Sequence, residues 1–160
     1  MRVDIFIKSS FKSPRKSTGK VIYVLRIKKG GEDKTIVKTY TLRDATPDMA
    51  DRRTLIVALR HLIPEGGQAI HSKYEPHIYL DRPTVKTAVT QWSEGWIKNG
   101  WKTSKGEPVR YGDEWKKLIG LIGESPVEFH VGERHEFSHW MEGELEKCLK
   151  SLESSTAGKK

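Results

Sequence analysis

The chain has little of what marks secreted, membrane or metal-knuckle proteins. Its 160 residues include one cysteine, Cys148, so neither an internal disulfide framework nor an all-cysteine zinc site can form. The longest apolar runs, Val21–Leu25 and Leu55–Leu59, fall far short of the ~20 residues that span a bilayer. The amino terminus, MRVDIFIKSS, interrupts its apolar stretch with Asp4 and lacks the long hydrophobic region of a secretory signal. These absences lead us to expect a cytoplasmic protein without a membrane partner. No apolar surface stripe is left over, so a monomer is expected. Acid is also scarce at one end. Residues 1–39 hold eleven Lys and Arg against Asp4, Glu32 and Asp33, a local excess of +8. That equals the net charge of the whole chain, and the remainder is neutral overall. Such an imbalance fits a polyanion partner, nucleic acid before an anionic membrane surface; a merely solubilising surface is the plainer alternative.

What is present describes a folded α/β chain, at 36% hydrophobic and 9% aromatic residues. VDIFIK alternates Val3, Ile5 and Ile7 against Asp4, Phe6 and Lys8, the period of a strand. A basic loop, residues 11–20, leads to strands over 21–28 and 35–42, joined by a turn at Gly30-Gly31. Thr46-Pro47-Asp48 opens a helix whose apolar stripe is Leu55, Ile56, Leu59 and Leu62. Strands follow at 77–80 and 126–131, with short helices over 84–92 and 113–122. A last helix from Ser138 spaces Met141, Leu145, Cys148, Leu149 and Leu152 helically. The expected architecture is one domain over 1–153, a five-stranded mixed sheet with helices on both faces, and a frayed tail over 154–160.

Three acids sit where acids are unusual. Asp51 shares the core-facing side of its helix with Leu55 and Leu59. Asp81 follows a strand, where ligands gather in α/β sheets. Glu144 borders the last helix's apolar stripe. Together they could hold Mg²⁺ or Mn²⁺ for phosphodiester chemistry; singly, each could be a cap or a surface ion pair. His135 and His139 are four apart, but a helix beginning near Ser138 leaves His135 in a loop, which argues against a zinc pair. His135 beside the acids could instead serve proton transfer. Trp92, Trp96, Trp101 and Trp115 are interleaved with Lys98, Lys102, Lys105, Arg110, Lys116 and Lys117, a pattern suited to a nucleic-acid surface or to a small satellite core under lysine stems.

The segment VTQWSEGWIKNGWKTSKGEPVRYGDEWKKL, Val89 to Leu118, resembles the Trp-rich handle of bacterial type 1 ribonuclease H without a gap. VDIFIKSS, DRRTLIVAL, IYLDR and EFHVGERHEFSHWMEGELEKC follow the order of that family's flanking elements. The resemblance implies a ribonuclease H-like fold and cleavage of the RNA strand of RNA/DNA hybrids by four carboxylates and two Mg²⁺ ions. It puts Asp51, Asp81 and Glu144 on three of the four carboxylates, and His135 nearest the family's metal-site histidine. It also implies a nucleic-acid surface comprising Lys8, Ser10, Lys12, Arg15, Trp96, Lys98, Asn99, Trp101, Lys102 and Lys105.

The fourth acid is missing. Where the family has Asp-Gly-Ser, this chain has Lys8-Ser9-Ser10, so an ammonium stands where a cation should bind. Two unit charges about 4 Å apart repel by about 4 kcal/mol at an effective dielectric near 20. The sequence therefore admits three readings: a divergent hybrid-specific endonuclease, a disabled relative that binds hybrid or duplex without cutting, and a protein-interaction module that keeps only the fold.

Overall fold

A computed structural model describes residues 1–157, with side chains through Lys147. Strands β1 (Arg2–Ser9), β2 (Ser17–Lys29) and β3 (Glu32–Ala45) form an antiparallel meander, and β4 (Glu75–Leu80) and β5 (Glu128–Val131) add to it in parallel. The sheet order is β3-β2-β1-β4-β5. Gly30 and Gly31 both have positive φ (53° and 91°), which is what a two-residue hairpin turn demands and what glycine adopts without a Cβ clash. The β2–β3 pairing reaches Ser17 and Ala45, with a bulge between Ser17 and Gly19. The basic loop is thus shorter than the sequence suggests, because its second half joins the ladder.

Helix α1 (Pro47–Leu59) is capped as expected: the Thr46 hydroxyl accepts from the Met49 N–H, and Pro47 supplies a fixed φ at the first helical position. Helix α2 (Thr84–Thr87), a π-helical turn (Ala88–Trp92) and α3 (Ser93–Lys98) run on without a break. Helix α4 (Gly112–Ile122) buries Trp115, Leu118, Leu121 and Ile122. Helix α5 spans Ser138–Ala157.

Strand alternation divides the core between two faces. Val3, Ile5, Ile7, Tyr23 and Leu25 pack under α1 and α4, while Phe6, Ile22 and Val24 pack against Met141 and Leu145 of α5. Helices therefore cover both faces of a mixed five-stranded sheet, as expected. Helix α5 carries residues 154–157, and residues 158–160 of the expected tail lie outside those described. Cys148, Leu149 and Leu152 lie outside the residues whose side chains are described. Among the described residues, no helix is long and apolar enough to cross a membrane.

Candidate functional site

Parallel pairing of β1 with β4 sets the geometry. The register Phe6↔Tyr79 carries Lys8, at the end of β1, alongside Asp81, just past the end of β4. The Lys8 ammonium donates to both Asp81 oxygens, at 3.1 and 3.2 Å. Its side chain is 9% exposed, whereas that of Asp81 is 51% exposed. Glu142 of α5 brings a carboxylate oxygen to 3.6 Å from the same ammonium and is also paired with Arg134.

Asp51 arrives from α1 on the core side, as its spacing with Leu55 predicts, and is almost fully buried. Its partner is Arg82, the residue after Asp81. One Arg82 nitrogen reaches both Asp51 oxygens at 3.1 and 3.2 Å, and the other donates to the Phe11 carbonyl at 2.7 Å. Burial pushes the Asp51 carboxyl up to about 7, although Arg82 acts in the opposite direction.

The other two expected site residues are Glu144 on α5 and His135, which lies in the loop before α5 as its spacing predicts. Glu144 pairs with Lys147 at 3.4 Å, and the α5 acid whose carboxylate reaches the Lys8 ammonium is Glu142. Residues two apart on a helix project about 200° apart, so only one of the pair can face the sheet's end. The apolar stripe drew attention to Glu144, but the useful signal is Glu142's position one turn after the Ser138 that opens the helix. His135 packs its ring against Phe6 and Tyr79, with centroids 4.4 and 5.4 Å away, and its Nδ1 accepts from the Phe137 N–H. Burial, then the Lys8 charge, lower its pKa to about 4, so it is neutral near pH 7 and is a poor proton shuttle there. Arg82 is a residue of this centre that the sequence does not single out, although a cation directly following a candidate site acid is a readable sign.

These residues do not fit the Mg²⁺ pair that the resemblance implies. Mg²⁺ needs near-octahedral oxygen ligands at about 2.0–2.1 Å and keeps several waters. Here every carboxylate of the centre already has a protein cation: Asp81 has Lys8, Asp51 has Arg82, and Glu142 has Arg134. A dication held about 4 Å from an ammonium is opposed by about 8 kcal/mol at an effective dielectric near 20. Asp4, the remaining acid of β1, is committed elsewhere. Burial opposes its ionisation, yet hydrogen bonds from Arg2 and Arg26 hold its carboxyl below the usual range.

A cleft of about 630 Å³ runs from Arg82 to the tryptophans, with Lys12, Arg110, Trp92 and Trp96 among its lining. A shallower hollow of about 460 Å³ continues past Trp92 and Trp96 to Asn99 and Lys102. The tryptophans divide by role. Trp96 lies within 6.0 Å (ring centroids) of Trp92, Trp101 and Trp115. Trp115 is core at 5% exposure, while Trp92 is 47% exposed. Trp101 sits at φ 63°, unusual for a bulky residue, and is held by backbone bonds to Trp96 and Val109 and by Lys116 over its ring. The cluster thus has a buried side at Trp115, the satellite core that the sequence admits, and an exposed side at Trp92. Lys105 and Arg15 are exposed, and Lys98 pairs with Glu94. Ser10 is structural: its hydroxyl accepts from the Lys20 N–H and anchors the loop.

No protein-family model matches the chain. Over 72 residues it is 38% identical to the ribonuclease H of Thermus thermophilus, covering 44% of this chain and 43% of that one. Over 99 residues it is 31% identical to the ribonuclease H of Salmonella arizonae, covering 62% and 57%. The crystal structure of LC11-RNase H1 in complex with RNA/DNA hybrid superposes over 92% of this chain and 99% of that one, with a TM-score of 0.52 and 16% identity. The fold is that of a ribonuclease H-like α/β domain. In sequence the chain is similar to ribonucleases H, and it spans about half the length of the curated relatives it matches.

Proposed function

We propose that this chain binds RNA/DNA hybrid along the cleft that joins Arg82 to the tryptophan cluster, and that it does so without two-metal cleavage. The observation that carries this reading is the Lys8 ammonium held between Asp81 and Glu142. Lys12, Arg110 and Lys102 offer charge to phosphates, and the exposed face of Trp92 offers a stacking or sugar-contact surface. LC11-RNase H1 has been captured with an RNA/DNA hybrid on a fold of the same kind.

A second reading, a divalent-metal-dependent endonuclease cutting the RNA strand, is favoured by the convergence of Asp51, Asp81 and Glu142 on one end of the sheet. One assay separates the two. A labelled RNA/DNA hybrid is incubated with Mg²⁺ or Mn²⁺ and either the parent chain, Lys8→Asp or Asp81→Asn, with binding followed by anisotropy. The proposal expects binding without cutting by the parent, and log affinity falling linearly with log salt. Cutting by the parent that Asp81→Asn abolishes would establish the endonuclease instead. Absence of salt-sensitive binding would leave only the protein-interaction module.

A further inference from the structure

The β4–β5 edge of the sheet carries a second cluster that the nucleic-acid reading does not use. Alternation along β4 and β5 sends Ile78, Leu80 and Phe129 to the α1 side, and His77, Tyr79, Glu128 and His130 to the α5 side. α5 packs over β1 and β2, so this outer part of the face is left to its own side chains. Parallel register pairs His77 with Glu128 and Tyr79 with His130, which sets the two imidazoles diagonally across the strands beside one carboxylate.

We infer that His77, Glu128 and His130 form a binding site for a zinc-class divalent ion. His77 Nδ1 lies 3.0 Å from His130 Nε2 and 3.3 Å from a Glu128 oxygen, and His130 Nε2 lies 3.9 Å from the other Glu128 oxygen. A tetrahedral ion with Zn–N and Zn–O bonds of about 2.0–2.2 Å separates its ligand atoms by about 3.3–3.5 Å. The three observed distances bracket that edge, so an ion can be seated by shifts of about half an ångström, within side-chain freedom. Glu128 is 64% exposed, which leaves the fourth position open to water.

The surroundings favour ligation over a casual hydrogen-bonded pair. His130 directs Nδ1 to Glu133 at 2.7 Å, the outer carboxylate that fixes a ligating imidazole's tautomer and leaves Nε2 unprotonated. Its ring stacks on Tyr79 with centroids 4.4 Å apart and 10° between planes, so it is oriented before any ion arrives. Two imidazoles and one carboxylate suit Zn²⁺ and neighbouring late first-row dications, whereas Mg²⁺ prefers an all-oxygen shell. The ion would tie the four-residue edge strand β5 to β4. Through Glu133 it would also fix the start of the loop carrying Arg134 and His135 to the carboxylate centre.

The test uses tag-free full-length protein stripped with a chelator and desalted. Calorimetric titration with ZnCl₂ should show one equivalent bound, and thermal melts should show stabilisation by Zn²⁺ and none by MgCl₂. With free Zn²⁺ at 100 times Kd, the folded-to-unfolded ratio should rise about 100-fold. His77→Ala and His130→Ala should abolish the equivalent, and Glu133→Gln should weaken it about 10- to 100-fold. Glu128→Gln, at an exposed position where folding is not at issue, should also weaken it at least about 10-fold. His139→Ala, on an exposed residue outside the cluster, should leave it unchanged. Failure to bind Zn²⁺, or binding indifferent to both His77→Ala and Glu128→Gln, would overturn the site and leave a plain histidine–histidine hydrogen bond.

Discussion

Lys8 and Asp81 are held as a forked pair, one ammonium against two carboxylate oxygens at 3.1 and 3.2 Å, by the parallel pairing of the strands that carry them. The lysine is buried and the aspartate is half exposed, so the pair presents a carboxylate to solvent with its cation behind it. Any ion approaching Asp81 from solvent meets that positive charge.

Glu142 brings an α5 carboxylate to 3.6 Å from the Lys8 ammonium, whereas Glu144 pairs with Lys147. In the Lys8→Asp background, where an acid replaces the cation, Glu142→Gln should lower Mn²⁺ affinity at least about tenfold, one lost carboxylate ligand being worth more than 1.4 kcal/mol. Glu144→Gln should change it less than about twofold. Mn²⁺ titration of the two double variants measures the difference.

Arg82 is the sole described hydrogen-bond partner of a buried carboxylate. Arg82→Met should destabilise the fold by about 2 kcal/mol at pH 8, less than the 3–5 of a fully buried pair because Arg82 is partly exposed. The loss should shrink at pH 5, where Asp51, with its pKa near 7, is already neutral. Urea melts at the two pH values measure the effect.

Asp51 and His135 tilt the pH dependence in opposite directions. The Asp51 pKa is raised to about 7 in the folded chain, so its contribution is fully present below about pH 4 and is lost as pH rises through 7. The His135 pKa is lowered to about 4, so its contribution is present above about pH 6.5 and is lost as pH falls toward 4. Between pH 4 and 6.5 the two slopes oppose each other. Asp51→Asn should make stability rise more steeply with pH in that window, and His135→Gln should make it rise less or fall. Denaturant midpoints from pH 4 to 7 are the readout.

The tryptophans should separate stability from binding. Trp115→Ala should cost about 3–5 kcal/mol, as for other buried aromatics. Trp92→Ala should barely move the melting temperature yet weaken hybrid binding about fivefold or more. Lys102→Ala should reduce the salt slope of binding by about one.

Much of the architecture was legible because it rests on strong local periodicity. The alternation in VDIFIK, the Thr46-Pro47 start and the Gly30-Gly31 turn each state their structure within a few residues. Asp51 was legible too, since an acid at i and i+4 with buried leucines must face inward. What escaped depends on tertiary placement. Which of Glu142 and Glu144 faces the sheet turns on α5's rotation about its axis, and both border the apolar stripe. Arg82 turns inward to Asp51 because the chain bends after β4, which no periodicity encodes. The His77–Glu128–His130 cluster needs residues some 50 positions apart to meet across a strand pairing.

Arg82 and Lys8 together give the centre a property that an unpaired acid cluster lacks. Three bare carboxylates repel a phosphodiester backbone and need dissolved dications before a nucleic acid can settle over them. Here the counter-charges are covalently part of the chain and are already seated. A hybrid lying over this end of the sheet would therefore meet a surface near electrical balance, and its retention should be indifferent to a chelator.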